Sequence, residues 1–182
     1  MISKDSTKRG SDLELIEAIR ERRSIRAYKN APVEREKLLK ILDAGRLAPS
    51  SRNQQEWKFV VVQNKEKIEK LYHACREQEF VREAPIIIAA CGTTTDYIMR
   101  CGQYAYPIDV SIALTHMILR AVDLGLGTCW LGSFNENKVK TILEIPEKIR
   151  VVGVLTLGYP SFQSQPKSRK PLEDIVCYDK WK

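Results

Sequence analysis

Arg22-Arg23-Ser24-Ile25-Arg26 places three guanidinium groups and a hydroxyl within five residues, with no acid among them. Guanidinium forks grip phosphate oxygens in pairs and the hydroxyl adds a donor, so the run suits a bound phosphate or an electron-rich ring edge. The plain alternative is a solvated basic helix end, favourable near a C-terminal dipole. A second basic run, Lys167-Ser168-Arg169-Lys170, lies far along the chain. It reads by default as a solvated loop, and two such runs sandwich a phosphate only if the fold brings them together. Pro49-Ser50-Ser51-Arg52-Asn53 offers short hydroxyl and amide groups of the kind that read a heterocycle edge. It is equally a turn whose Ser and Asn satisfy their own backbone. Residues 125–133 carry three glycines, which let a backbone approach a ligand closely. They lack both the Gly-Lys-Ser/Thr end of a P-loop and a GxGxxG after a strand.

The residues also exclude chemistry. His73 and His116 are the only histidines, too few for a metal site or a Ser/His triad, and His116 reads as a hydrogen-bonded core residue. Hydrolase and metalloenzyme readings fall away. The five cysteines, Cys75, Cys91, Cys101, Cys129 and Cys177, are odd in number and never closer than ten positions. They read as reduced, buried thiols in a cytoplasmic protein. Lys and Arg exceed Asp and Glu by 30 − 23 = 7, which suits a nucleic acid, an acidic surface or an anionic small molecule. The aromatics do not interleave with the basic runs, which argues against nucleic acid. No apolar run approaches the ~20 residues that cross a bilayer, so no membrane partner is expected.

These groups need elements to hold them. A chain of 182 residues, 43% hydrophobic and 29% charged, is the size and composition of one folded domain. The polar start lacks an apolar centre, so it is no secretory signal, and 1–11 reads as a flexible N-terminus. Ser11 with Glu14 forms a capping box opening a helix over 11–22, and a second amphipathic helix spans 34–47 before Pro49. A polar loop then runs into a strand over 57–62. A charged surface helix over 65–80 and a buried strand over 85–91 follow. Over 106–124 apolar residues cover nearly the whole circumference of a helix, which is therefore central or in a subunit interface. A short helix over 135–143 and a strand over 151–157 complete the core. The tail LEDIVCYDKWK keeps enough apolar area to pack on something, such as a second subunit.

Taken in order, RRSIRAY, LAPSSRNQQEWKFVVV, REAPIIIAAC, the hydrophobic helix leading into GLGTCWLGSFN, and PKSRKPLEDIV resemble the flavin-dependent nitroreductase family over about residues 12–178. The resemblance implies one α+β domain over 12–178, with a central, mainly antiparallel sheet flanked by helices. It further implies an interlocked homodimer that binds FMN at the interface, with the C-terminal tail packed on the partner subunit. On the same ground Arg22, Arg23 and Ser24 match the first FMN-binding motif, with Arg22 at the ribityl phosphate and Arg26 near the pyrimidine end. Pro49, Ser50, Ser51 and Asn53 match the loop given by the second subunit. Trp130, Leu131, Gly132 and Ser133 match the loop beside the inner ring face and N5 edge, and Lys167 and Arg169 match the pair at the phosphate. Gln78 falls where an amide meets the flavin pyrimidine. The chain departs from the family where many members read Gln-Pro-Trp and it reads Gln55-Glu56-Trp57, and where a substrate-covering insertion before Tyr106 is short, which implies a more open pocket.

The implied reaction passes a hydride from NADH or NADPH to flavin N5 and then electrons to a nitroaromatic, a quinone or a similar conjugated small-molecule acceptor. A different reaction on the same fold, reductive dehalogenation or flavin modification, is the first alternative. A basic nucleic-acid-binding module is the second.

Overall fold

The computed structural model describes residues 14–162 and 164–181. The elements are α1 (Leu15–Glu21), α2 (Arg35–Arg46), β1 (Trp57–Val62), α3 (Lys65–Ala74), α4 (Glu79–Glu83), β2 (Ile86–Gly92), α5 (Ala105–Asp123), β3 (Gly127–Leu131), α6 (Glu136–Leu143) and β4 (Arg150–Gly158), with 3-10 turns at Ser51–Asn53 and Leu172–Asp174. The four strands form one sheet in the order β1-β2-β4-β3, and each neighbouring pair is antiparallel.

All seven residues of β2 are buried, which requires neighbours on both edges and cover on both faces. Successive side chains point to opposite sides, and the packing divides accordingly. Ile87, Ala89 and Cys91 join Ile68, Leu71, Val81 and Val139 from α3, α4 and α6. Ile86, Ile88 and Ala90 join Leu38, Ile41, Val110, Leu114 and Met117 from α2 and α5. The result is a sheet between two helical layers, the α+β arrangement the sequence leads one to expect. α5 is central, with Leu114 and Met117 wholly buried. It approaches α2 so closely that a Cβ on Gly45 would lie 2.8 Å from Met117 Cγ.

Several expectations need correction. The helix expected over 65–80 is two helices, because α3 ends at Ala74 and Arg76 and Glu77 turn left-handed, φ 58° and 54°. That turn lets Phe80 and Val81 of α4 fold back into the core beside Cys75. Residues 127–131, read as part of a glycine loop, are strand β3. His116 is half-buried in the wall of an apolar cavity with Leu15, Ile19, Leu47 and Leu119, and no hydrogen bond of its side chain is found among the described residues. The thiols are not uniformly buried, since Cys101 and Cys177 are exposed. Burial raises the thiols of Cys75 to about 12 and Cys91 to about 11, so both are inert. The Ser11 cap and the 1–11 N-terminus lie outside the described residues. Among the described residues, no helix is long and apolar enough to cross a membrane.

Candidate functional site

The first basic run leaves α1 in extended form and is clipped to the open edge of β3. Ser24 bridges Thr128 in parallel, and Ile25 N–H donates to Thr128 O at 2.9 Å. The approach needs a glycine, because a Cβ on Gly127 would drive into Ile25 and lie 2.9 Å from Pro160 Cγ. Further along, Lys29 N–H donates to Tyr159 O (2.8 Å) and Ser161 N–H to Ala27 O (3.1 Å). Tyr28, buried below, pairs its hydroxyl with Thr156 Oγ1 at 2.7 Å and donates to Ile25 O at 3.0 Å. Burial raises the Tyr28 phenol further from ionisation, so it stays neutral and holds this clip.

The clip delivers the second basic run to the first. Beyond Ser161 the chain returns over residues 22–26 and closes a cavity of about 480 Å³. Arg22, Arg23, Ser24, Arg26, Gln165, Lys167 and Arg169 line it, and no carboxylate among the described residues does. The guanidiniums are differently engaged. Arg23 turns Nη1 onto the helix-end carbonyls of Arg20 (2.5 Å) and Arg22 (2.9 Å), which caps α1. Its buried Nε has no hydrogen-bond partner among the described residues. Arg26 lies 6.0 Å from the Phe80 ring centroid, and Arg169 Nη1 donates to the carbonyls of Lys167 (3.2 Å) and Ser168 (3.0 Å). Beneath them, burial raises the Cys129 thiol while the charges of Arg26 and Arg22 pull the other way. Several cations without an acid raise the local potential and suit a multiply charged anion such as a phosphate.

Trp130 and Leu131 end strand β3, and Gly132 and Ser133 follow it. Trp130 lies against β4, where a Cβ on Gly153 would sit 2.6 Å from its Nε1, and Gly132 faces open space. Gln78 caps the start of α4 and donates from Nε2 to Cys75 O at 3.0 Å, which fixes its amide.

The loop at 49–53 is elsewhere. It precedes β1, the opposite edge strand, three strand spacings or about 14 Å from β3. None of its residues lines the basic cavity. Arg52, Asn53 and Gln55 are left-handed, with φ 54°, 55° and 52°. Asp109 Oδ2 accepts the Ser51 N–H at 3.0 Å, and Ser50 Oγ accepts the Gln55 N–H at 2.9 Å. One chain therefore joins Arg22, Arg23, Ser24, Arg26, Lys167 and Arg169, and leaves Pro49, Ser50, Ser51 and Asn53 at another edge. Two groups escaped the sequence reading. Tyr28 could have been noticed as the aromatic of RRSIRAY, whereas Asp109 carries no local signal beyond being an acid in an apolar helix.

The chain also matches known proteins over most of its length. The model of the nitroreductase family matches residues 19–84 and 73–159. A protein of Methanothermobacter thermautotrophicus provisionally named NADH dehydrogenase/NAD(P)H nitroreductase is 36% identical over 177 residues, covering 94% of this chain and 90% of its own. The FMN reductase (NAD(P)H) of Bacillus subtilis is 30% identical over 179 residues, covering 89% and 72%. The crystal structure of a Clostridium difficile nitroreductase family protein superposes with a TM-score of 0.84 at 34% identity, covering 93% of this chain and 100% of that one. In sequence and in fold, the chain belongs to the nitroreductase family.

Proposed function

We propose that this protein is an FMN-dependent oxidoreductase that takes electrons from NADH or NADPH and passes them to a nitroaromatic, quinone or other conjugated acceptor. The observation that carries the reading is the cavity in which two basic runs, about 140 residues apart, meet with no acid among the described lining residues. Its donor set fits the phosphate of a flavin mononucleotide. The B. subtilis relative is named for FMN and NAD(P)H, and the M. thermautotrophicus relative for NADH and NAD(P)H, which supports the same flavin and donors here.

In this reading Arg22, Lys167 and Arg169 bind the phosphate, and Ser24 adds a hydroxyl. Arg23 supports them while capping α1. Arg26 holds positive charge at the pyrimidine end, where it favours an anionic ring. Gln78, its amide nitrogen already used by Cys75 O, leaves its carbonyl oxygen for a ring N–H. Trp130, Leu131, Gly132 and Ser133 form the wall, with Gly132 leaving room for a planar group. The FMN, when bound, supplies hydride acceptance from the nicotinamide and its return to the acceptor.

The site is completed by a second copy, whose Pro49, Ser50, Ser51 and Asn53 reach the first chain's cavity. The exposed apolar surface supports this pairing. Leu15, Ile16 and Ile19 of α1, Leu47 after α2, and Leu172, Ile175, Tyr178 and Trp181 of the tail are all exposed in the single chain.

The test is the visible absorbance of the purified protein, followed by anaerobic NADH and then NADPH. A flavin spectrum that bleaches is the expected result, and the faster-bleaching nucleotide is the donor. A colourless protein that also refuses added FMN would overturn the assignment.

A further inference from the structure

Glu56 stands between the polar loop and β1, the residue before Trp57. Its carbonyl accepts the Thr93 N–H at 3.0 Å, which fixes its backbone against the exit of β2. Its side chain is turned inward, with the residue only 4% exposed and neither carboxylate oxygen accepting a hydrogen bond from a donor among the described residues. Beside it is a second carboxylate, Asp109 on α5, which is 3% exposed and holds the Ser51 N–H. Asp96, on the segment between β2 and α5, adds negative charge, and the Thr94 hydroxyl lies near without completing a bond. Arg52, the cation of this loop, lies over the Tyr97 ring at 4.8 Å, and no ion pair among the described residues reaches Glu56.

Two charges of like sign, dehydrated and adjacent, repel strongly, whereas one proton between them turns repulsion into a short charge-assisted bond. We propose that Glu56 is a positioning residue: as a neutral carboxylic acid it donates a hydrogen bond to Asp109, and Asp109 in turn holds Ser51 and the loop whose Arg52, Asn53 and Gln55 are left-handed. Burial first, then the charges of Asp109 and Asp96, push the Glu56 carboxyl upward from its ordinary value. That left-handed backbone is intrinsically disfavoured for residues with a Cβ, so its shape depends on such external anchors. The functional consequence rests on the two-chain flavin reading, since this loop is the one offered to the partner's cavity.

The sign of the pH dependence follows from linkage. The folded state prefers the protonated form, so the contribution of Glu56 is complete below the unfolded carboxylate range and is lost as pH rises through the folded value. Melting curves of wild type and Glu56→Gln, with and without FMN, from ~pH 5 to ~pH 8.5 test this, because Gln keeps a donor and cannot ionise. The curves should converge at the acid end, and wild type should melt ~2–4 °C lower at the alkaline end. Carboxyl-labelled glutamate NMR of wild type reads the same titration without a substitution, and should show one glutamate titrating above the others. Melting profiles that run parallel, or no such glutamate, overturn the proposal. FMN affinity should fall with rising pH in wild type and stay flat in Glu56→Gln, and equal slopes would overturn the loop-holding role. A chain that takes up no FMN at any pH removes the flavin reading, and the flavin-free melting curves still decide the proton.

Discussion

The two edges of the sheet are built by opposite means. At β3 the outer segment, residues 24–29, is added by backbone bridges and buried side chains, and it gathers cations with no acid among them. At β1 the outer loop carries three left-handed residues and rests on buried Asp109, with buried Glu56 beside it. The contrast teaches that one edge is made rigid within the chain and the other is held poised. On the proposed two-chain reading, each site takes its phosphate grip from the rigid edge of one copy and its ring contacts from the poised edge of the other.

The largest way to break the contrast is Gly127→Val. A branched side chain has no room between Ile25 and Pro160, so residues 24–29 must leave β3. The expected cost is ~2–4 kcal/mol of stability, read by chemical denaturation, together with loss of FMN. Wild-type stability in that variant would mean that the clip is dispensable. Next is Arg22→Ala, which should weaken FMN binding by ~10- to 100-fold in a fluorescence titration while leaving the melting temperature within a few degrees. Unchanged affinity would remove Arg22 from the phosphate site. The smallest effect belongs to the poised edge. Gln55→Gly relieves a φ of 52° and should raise stability by up to ~1 kcal/mol, less what is lost with the Gln55 Nε2 bond to Asn53 O at 3.2 Å. A destabilised variant would show that the loop is not strained there.

The elements with unbroken local pattern were legible. β1 begins and ends where its β-branched and aromatic run does, and α5 lies within a residue of its apolar stretch. β3 was hidden because glycines at 125, 127 and 132 resemble a loop, although Gly127 is there to admit Ile25 at a strand edge. The break between α3 and α4 was hidden because Arg76 and Glu77 are ordinary helix formers, held left-handed by the pull of Phe80 and Val81 into the core. The union of the two basic runs could be expected only from the family resemblance. Its physical cause, the pairing of residues 27–29 with 159–161, is a contact across most of the chain that no local pattern encodes. Glu56 was visible as a departure from Gln-Pro-Trp, but an acid before a strand gives no sign of being buried.

The exposed tail has a thermodynamic consequence. Trp181 is 94% exposed, Tyr178 80% and Leu172 70% in the single chain. If their cover is a second copy, folding and encounter become one equilibrium, and every tenfold dilution removes about 1.4 kcal/mol from the assembled state. The amount of protein present then sets its resistance to unfolding as directly as any residue in its core.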